Sequence, residues 1–312
     1  MPKFVIAGFG NLGRRYLESI CNLEGGNEVL IVEPDADRRN SAKAYELDSK
    51  SLKISTTAAL DGLLHAHIDL AIVASTADVR LGVVRQMLDV FDVEYFILEK
   101  VLAQSLADLE ELLGLLKNHK CWVNTPLLSH PLYAFVAKEI FEDGIILNIQ
   151  NLNGLACNLI HYIDLVSRAL NCEIIDIDCS KIGRQLLKSK RAGFYELSGH
   201  IEILFDRGSK LEVSSKCGTD KLQIEVTKSA EQWMITEENG RVICPSGERM
   251  WFGSVPLLSD YMSNLIKTIL SREEPNLPTL EKSVSDHQAM LRAFLVCVYG
   301  KRFNRASKLN IT

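Results

Sequence analysis

The sequence predicts an α/β protein, with an N-terminal doubly wound parallel sheet followed by a C-terminal α/β domain built on an open, mainly antiparallel mixed sheet. Two observations predict this fold class. Over residues 1–123, short continuous apolar runs alternate with segments of helical periodicity, as in parallel strands joined by helical crossovers. From about residue 145, alternating strands follow one another through turn sequences such as Asp206-Arg207-Gly208. We therefore expect one domain at 1–123 and a second at 124–312.

Residues 3–20 predict a buried strand, a tight loop and a helix in succession. Residues 4–7 are a continuous apolar run, and apolar residues recur at helical spacing as far as Ile20. The glycines between them have the spacing GxGxxG, which permits a tight turn, a close approach of the backbone to a pyrophosphate and close packing of the helix on the strand. The free N–H groups at the start of this helix favour an anion. The candidate cofactor-binding residues of the loop are Gly8, Gly10, Asn11, Leu12 and Gly13.

Glu33 ends the next predicted strand, residues 28–32. A carboxylate at this position accepts hydrogen bonds from the ribose hydroxyls of a dinucleotide. The strand, the glycine loop, the helix and the acid together predict a dinucleotide site rather than a chance glycine turn. Because a carboxylate repels a 2′-phosphate, we expect NAD, while the neighbouring Arg38 and Arg39 keep NADP open.

The rest of the chain continues the two patterns. In the first domain we predict helices at 37–47, 57–64, 79–90 and 106–118, and strands at 53–55, 69–74, 95–98 and 121–123. In the second domain we predict helices at 159–170, 259–270 and 285–299, and strands at 174–179, 196–205, 210–215, 221–227 and 232–236.

Composition and charge exclude several classes of protein. The chain has 312 residues, of which 47% are hydrophobic and 24% charged, which excludes extended disorder and suggests two domains. A net charge of −5 with no basic block argues against nucleic acid as a partner. No apolar run approaches the roughly 18 residues of a membrane span, and we expect no secretory signal. Eight cysteines without CxxC spacing indicate neither a metal site nor a disulfide framework, so we expect a cytoplasmic protein.

Polar residues follow two further predicted strands of the first domain. Ser75 and Thr76 follow one strand, and Glu99 and Lys100 follow the next along the chain. Because the carboxyl ends of parallel strands meet at one edge, where open α/β sheets bind ligands, we expect these four side chains near the cofactor. A lysine there can hydrogen-bond an oxygen that changes between alcohol and carbonyl. The alternative is a solvated lysine at the end of a strand.

His161 lies on a predicted helix, with Asp164 three residues later on the same face. A histidine with an unperturbed pKa of about 6.5 can accept a hydroxyl proton while a hydride leaves the carbon. By themselves, the apolar neighbours of His161 favour a core histidine, and Asp164 fits a structural pair equally well.

The order of these motifs resembles the Gfo/Idh/MocA family of NAD(P)-dependent oxidoreductases, which mostly act on sugars and related polyols. The resemblance covers nearly the whole chain and rests on the glycine loop, Glu33, Ala74-Ser75-Thr76, Glu99-Lys100, and His161-Tyr162-Ile163-Asp164 after Gly154. It implies a Rossmann domain paired with an α/β domain on an open mixed sheet, whose exposed face forms a homodimer or homotetramer. It also implies that the helix 285–300 packs back on the Rossmann domain.

The resemblance implies roles for individual residues. Lys100 matches the family's lysine near the nicotinamide and the substrate hydroxyl, and Glu99 orients it. His161 and Asp164 match the family's HxxD motif, in which the histidine takes the proton. His130, which precedes a proline, fits a turn residue as well as a substrate contact. The residues for which substrate contact is implied are Asn124, Cys157, Asn158 and His161.

Three departures from the family pattern bear on the mechanism. Cys157 stands where the family has an aspartate four residues before the histidine, and Val101 stands where it has a proline after Glu-Lys. Residues 77–80, Ala-Asp-Val-Arg, replace Pro-Asn-x-x-His. Without this aspartate, His161 lacks a group that would orient it or stabilise its charged form. Whether the protein is catalytically active is therefore an open question at this point. We interpret Cys157 as an apolar filler in preference to a nucleophile.

The sequence thus predicts an NAD-dependent dehydrogenase acting on a hydroxyl-bearing carbon of a sugar, cyclitol or nucleotide-sugar, without a metal. Two alternatives stay open. One is a non-catalytic sensor or scaffold that binds NAD(P). The other is an enzyme of a different reaction type, either a redox-neutral NAD-using glycosidase or an imine reductase.

Overall fold

The computed structural model describes residues 1–48, 52–183, 185–215, 221–244, 246, 250–252 and 258–312. The chain forms two compact units. Unit 1 comprises Met1–Ala103, Glu110–Asn124 and Pro256–Leu280, and unit 2 comprises Gln104–Leu109, Thr125–Val255 and Glu281–Thr312. Compared with the predicted division at residue 123, the structure adds a late segment of the chain to the first unit.

The strands in chain order are β1 (Lys3–Ala7), β2 (Asn27–Val32), β3 (Leu52–Thr57), β4 (Ala66–Val73), β5 (Phe91–Leu98), β6 (Lys120–Val123), β7 (Ile146–Gln150), β8 (Ile174–Asp178), β9 (Leu187–Lys188), β10 (Tyr195–Glu196), β11 (Gly199–Phe205), β12 (Lys210–Ser215), β13 (Gln223–Lys228), β14 (Glu231–Thr236), β15 (Arg241–Ile243) and β16 (Met250–Phe252). The helices are α1 (Asn11–Cys21), α2 (Ala36–Asp48), α3 (Ala77–Val90), α4 (Leu106–Leu116), α5 (Pro131–Glu139), α6 (Leu155–Ala169), α7 (Leu258–Leu270) and α8 (Leu280–Tyr299).

Unit 1 is built on a six-stranded parallel sheet of order β3-β2-β1-β4-β5-β6. β1 lies between β2 and β4, and its apolar residues Phe4, Val5 and Ile6 are fully buried, as a strand covered on both faces requires. This confirms the predicted doubly wound sheet. The strand order reverses between β1 and β4, so the crevice at their carboxyl ends is the topological switch point at which such sheets bind ligands.

A helix from late in the chain completes unit 1. α7 packs along α1, and its Met262 and Ile266 are buried in the same apolar core as Tyr16. Ser263 Oγ donates a hydrogen bond to the carbonyl oxygen of Ser19 at 3.2 Å. The expected packing of helix 285–300 on the Rossmann domain stays a prediction, since that helix is α8, which belongs to unit 2 from Glu281 onward.

Unit 2 is built on an eight-stranded mixed sheet of order β16-β15-β14-β13-β7-β12-β11-β8. β7 and β12 are parallel, and the other neighbouring pairs are antiparallel, which confirms the predicted mainly antiparallel mixed sheet. Side chains alternate between a buried and a more exposed face. β12 buries Leu211 and Val213 and leaves Glu212 and Ser214 partly exposed, and α6 packs against this strand.

Three predictions differ from the structure. The predicted strand at 196–205 is two strands, β10 and β11, and β10 pairs with β9 in a separate two-stranded sheet. The predicted helix at 57–64 is wrong, because Thr57 ends β3, where it pairs with Val32, and turns follow, with Gly62 at φ +75°. α6 begins at Leu155 rather than at residue 159, which places Cys157 within the helix. Among the helices that the structure describes, none has the length and hydropathy that crossing a bilayer requires.

Candidate functional site

The glycine loop of unit 1 has the geometry that its spacing predicts. Gly8 has φ +94°, and a Cβ there would lie 2.8 Å from the backbone nitrogen of Ser75, so only glycine lets the loops after β1 and β4 approach. A Cβ at Gly13 would lie 2.1 Å from the carbonyl oxygen of Gly8, so glycine is required for α1 to pack on the loop. A Cβ at Gly10 would meet no atom within 4 Å. The open space is thus in front of Gly10.

The start of α1 faces this open space with its backbone donors. α1 begins at Asn11, followed by Leu12, and its N-cap residue is Gly10, which has no side chain to occupy the backbone donors. The first turn contains no acidic residue. The first N–H groups of a helix have no partner within the helix and carry its positive dipole end. The loop therefore has room for a pyrophosphate in front of Gly10, and the partial positive charge of the α1 N-terminus attracts its negative charge.

Glu33 lies beside this loop at the end of β2. Its Oε2 accepts a hydrogen bond from the backbone N–H of Phe9 at 2.6 Å, and Oε1 accepts one from Asp35 N–H at 3.1 Å. Arg38 Nη1 lies 3.9 Å from the same carboxylate, and Arg39 donates to the Glu33 carbonyl oxygen. The acid that sequence reasoning assigns to the adenosine ribose is thus at the loop, with a cation next to it.

A buried arginine, which sequence reasoning noted only as a departure from the family motif, connects two loops at the carboxyl edge of the sheet. Arg80 on α3 is 1% exposed. Its guanidinium donates hydrogen bonds to the carbonyl oxygens of Ser75, Val101 and Leu102. It therefore holds the loop that contains Ser75 and Thr76 next to the loop that contains Glu99 and Lys100. The peptide bond between Lys100 and Val101 is cis.

Glu99 is the centre of a buried hydrogen-bond network in unit 1. Its Oε1 accepts hydrogen bonds from Tyr16 Oη at 2.9 Å and from Asn124 Nδ2 at 2.7 Å. Burial raises the pKa of the Glu99 carboxyl, while the hydrogen bonds from Asn124 and Tyr16 act in the opposite direction. Glu99 is 3% exposed and Lys100 beside it is partly exposed. The network fixes the residue next to Lys100, and the substrate contact implied for Asn124 stays a prediction.

We expect Tyr16→Phe to lower the free energy of unfolding by about 1 to 2 kcal/mol, because it removes a donor from a buried carboxyl. Urea unfolding measures the change. Tyr45→Phe is the matched control, since its hydroxyl also donates to a carboxylate, that of Glu18 at 3.2 Å, but at a partly exposed position. A loss in Tyr16→Phe no larger than in the control would contradict the role of the network.

α6 of unit 2 carries four of the site residues that the sequence places in the second domain, whereas His130 lies before α5 and Asn124 belongs to unit 1. Cys157 and Asn158 lie in its first turns, followed by His161 and Asp164. Asn158 and His161 line a cavity of about 310 Å³ whose other lining residues are Leu127, Asn151, Leu152, Asn153, Tyr162, Leu222 and Glu237. Cys157 is not among the lining residues, and its Sγ donates to the carbonyl oxygen of Thr312 at 2.8 Å. The structure thus brings Asn158 and His161 together, whereas substrate contact by Cys157 stays a prediction.

A carboxylate that sequence reasoning missed lies in the same cavity. Glu237 follows β14, and its Oε1 accepts a hydrogen bond from Tyr133 Oη at 2.5 Å. The Tyr133 hydroxyl also interacts with that of Tyr162. Burial raises the pKa of both phenols, so they stay protonated donors. No local sequence signal marks Glu237, because its partner is 104 positions away along the chain.

His130 caps a helix in this part of unit 2. Its Nδ1 accepts a hydrogen bond from the backbone N–H of Leu132 at 3.3 Å, at the start of α5. Burial lowers the pKa of the His130 imidazole, and the negative charge of Glu237 partly opposes this. The turn interpretation of His130 therefore has a defined structural basis.

Asp164 is buried and faces Arg168 on its own helix. Arg168 Nη1 lies 3.4 Å from its Oδ2. Burial raises the pKa of the Asp164 carboxyl to about 7, against the opposing effects of the Arg168 charge and the Thr125 hydroxyl. Asp286 on α8, which accepts a hydrogen bond from Ser167 Oγ at 3.0 Å, adds to the rise. The catalytic role implied for Asp164 stays a prediction beside this structural one.

The raised pKa makes stability fall with rising pH. The folded protein holds the Asp164 proton more tightly than the unfolded chain, so between about pH 4 and pH 7 we expect Asp164 to remove up to about 1.4 kcal/mol of unfolding free energy per pH unit. Asp164→Asn removes this contribution, and urea unfolding across that range measures it. Asp143→Asn, at an exposed carboxyl of the same unit, is expected to follow the wild type. Parallel pH profiles for wild type and Asp164→Asn would contradict the assignment.

The parallel sheet, the glycine loop at its switch point and the acid of β2 define a dinucleotide-binding α/β protein. Residues 2–125 match the model of the Gfo/Idh/MocA oxidoreductase family, which describes an NAD-binding Rossmann fold. Residues 2–125 are therefore similar to the NAD-binding domain of this oxidoreductase family, as the motifs predict. No curated protein sequence matches it.

Solved structures share the fold over nearly the full length. The UDP-N-acetylglucosamine 3-dehydrogenase of Acidithiobacillus ferrooxidans is 14% identical, with a TM-score of 0.67 over 95% of this chain and 97% of that one. The myo-inositol dehydrogenase of Lactobacillus casei, solved with NAD(H) and myo-inositol, is 16% identical, with a TM-score of 0.65 over 94% and 93%. The biliverdin reductase of Synechocystis, solved with biliverdin and NADP+, is 13% identical, with a TM-score of 0.72 over 95% and 99%.

Proposed function

We propose that this oxidoreductase is an NAD-dependent dehydrogenase that acts on a hydroxyl-bearing carbon of a sugar, cyclitol or nucleotide-sugar. The observation that carries the proposal is the cavity of unit 2, where His161 lies among amide side chains that can bind hydroxyl groups. Support also comes from relatives of the same fold whose names state dehydrogenation of a nucleotide-sugar and of myo-inositol.

Unit 1 binds the cofactor in this proposal. The loop at Gly10 and the first N–H groups of α1 hold the pyrophosphate, and Glu33 binds the adenosine ribose and disfavours a 2′-phosphate. NAD bound at this site would supply the acceptor for the hydride of the substrate carbon. Lys100, next to the fixed Glu99, donates a hydrogen bond to the reacting oxygen.

Unit 2 binds the substrate in this proposal. His161 accepts the proton of the reacting hydroxyl, and Asn158 binds a neighbouring hydroxyl. Asp164 lies one turn after His161 on α6, and its ion pair with Arg168 stabilises the part of the helix that carries His161. The more exposed face of the second sheet serves homodimer or homotetramer formation, and a monomer at micromolar concentration in sedimentation would contradict that assignment.

Two measurements test the function. Calorimetric titration with NAD and NADP is expected to show binding with a preference for NAD, and NADH absorbance over a panel of sugars, cyclitols and nucleotide-sugars is expected to show turnover. Binding of neither cofactor would overturn the whole assignment. Cofactor binding without turnover would favour the second candidate, a non-catalytic sensor. The observation favouring that candidate is the Cys157 thiol, which donates to Thr312 at the position where the resemblance implies a carboxylate.

A further inference from the structure

Glu237 gives the substrate cavity of unit 2 a negative charge that no described lining residue balances. Its other lining residues are apolar or carry amide, imidazole and phenol groups, with no lysine or arginine among those that the structure describes. Lys221, the neighbour of the lining residue Leu222, has its Nζ 3.2 Å from Glu238, so its charge is already paired. An anionic group in this cavity would meet an uncompensated carboxylate.

Glu237 is held so that one of its oxygens remains available. Tyr133 Oη donates to Oε1, and within the described part of the chain no hydrogen bond engages Oε2. Tyr133 is buried on α5, and its hydroxyl also interacts with that of Tyr162. A carboxylate positioned in this way accepts hydrogen bonds strongly from hydroxyl groups and has no hydrogen to offer an anion.

The N-terminal end of α6, which could attract an anion, already has a carboxylate beside it. α6 begins beside the cavity, and the first N–H groups of a helix attract anions. Here the Glu196 carboxylate occupies that position, since its Oε2 accepts a hydrogen bond from Ala156 N–H at 2.8 Å, while Gly154 caps the helix without a side chain. The N–H group of Ala156 is therefore already engaged by a carboxylate, which weakens the attraction of this helix end for an acidic substrate group.

We propose that Glu237 is the specificity-determining residue of this cavity, which accepts the uncharged, hydroxyl-bearing part of a polyol and excludes carboxylate and phosphate groups. The inference rests on the proposed dehydrogenase function and narrows its substrate. The three amides of Asn151, Asn153 and Asn158 supply both donors and acceptors to hydroxyl groups, and Glu237 supplies a strong acceptor.

Matched pairs of compounds test the proposal. Glucose is compared with glucuronate and glucose 6-phosphate, galactose with galacturonate, and myo-inositol with its monophosphate, all with NAD. NADH formation gives kcat/KM, and saturation-transfer NMR gives binding for compounds that are not turned over. We expect the wild type to favour the neutral member of a pair by about 100-fold, as the repulsion between like charges implies, and Glu237→Gln to reduce this preference to about tenfold or less.

The controls separate specificity from folding. Glu231→Gln, at an exposed carboxylate on β14, is expected to keep the wild-type preference. Tyr133→Phe, which keeps the Glu237 charge but removes the hydrogen bond that positions it, is expected to raise KM for the neutral compound more than it lowers kcat. It serves as the second variant if Glu237→Gln does not fold.

The possible outcomes distinguish this inference from the proposed function. Turnover of anionic compounds equal to or better than that of their neutral partners, or an unchanged preference in folded Glu237→Gln, overturns the inference and leaves the dehydrogenase assignment intact. Binding of neither class of compound by an NAD-binding protein also overturns it. If the protein does not bind NAD, the proposed dehydrogenase function is overturned, and the inference that rests on it is overturned as well.

Discussion

Gly10→Ala is expected to weaken NAD binding by about 100-fold, equivalent to about 3 kcal/mol, while leaving the unfolding free energy within about 1 kcal/mol of the wild type. A methyl group at Gly10 meets no protein atom within 4 Å, and the backbone there is extended at φ −77°, so alanine fits the protein. The methyl group instead enters the space in front of the α1 N-terminus. There it prevents the backbone from approaching a pyrophosphate.

Gly13→Ala is the contrasting variant. Its methyl group would lie 2.1 Å from the Gly8 carbonyl oxygen, so α1 or the loop must move. We expect a loss of unfolding free energy on the order of 4 kcal/mol or more. Calorimetric titration and urea unfolding of both variants measure the two effects. NAD affinity in Gly10→Ala equal to that of the wild type would show that the dinucleotide does not lie on this loop.

His161→Gln is expected to lower kcat/KM by a factor of about 100 to 10,000, the usual loss when a general base is removed. Glutamine keeps a polar side chain in the cavity but does not accept the hydroxyl proton at neutral pH. NAD binding is expected to stay at its wild-type value, because the cofactor residues are in unit 1. Steady-state NADH formation measures the loss, and calorimetry measures the binding.

A second histidine of unit 2 supplies the control for this variant. His200 on β11 pairs with Glu202 at 3.2 Å, outside the cavity. His200→Gln is therefore expected to keep wild-type activity. If His161→Gln retained full activity, His161 would be a structural residue and the proton acceptor would have to be sought elsewhere.

The first domain could be predicted from the sequence almost completely, because parallel buried strands are continuous apolar runs and the glycine loop has a fixed spacing. The error at 57–64 arose because helical spacing of apolar residues does not reveal that Thr57 pairs with Val32. β7 was missed because its alternating pattern, with Asn148 and Gln150, is only five residues long and gains its stability from strands far along the chain.

The sequence predicts those site residues that lie on one helix or loop. It does not predict those that reach the site only when elements distant in the sequence pack together. His161 and Asn158 were found because both lie on α6. Glu237 was not, since only the pairing of β13 with β7 and with β14 brings the residue after β14 into the cavity. Arg80 was noted as a departure from a motif, and its function as a connection between two loops appears only in the folded protein.

The position of α7 has a consequence for biosynthesis. The apolar core around Tyr16 includes Met262 and Ile266, which the ribosome adds after more than four-fifths of the 312 residues. Domains usually fold in the order in which they are synthesised. In this chain the ribosome synthesises most of unit 1 first, but it adds α7, which completes the core of unit 1, only after residues 125–255 of unit 2. A fragment that ends near residue 124 would therefore expose one side of α1 and be prone to aggregate.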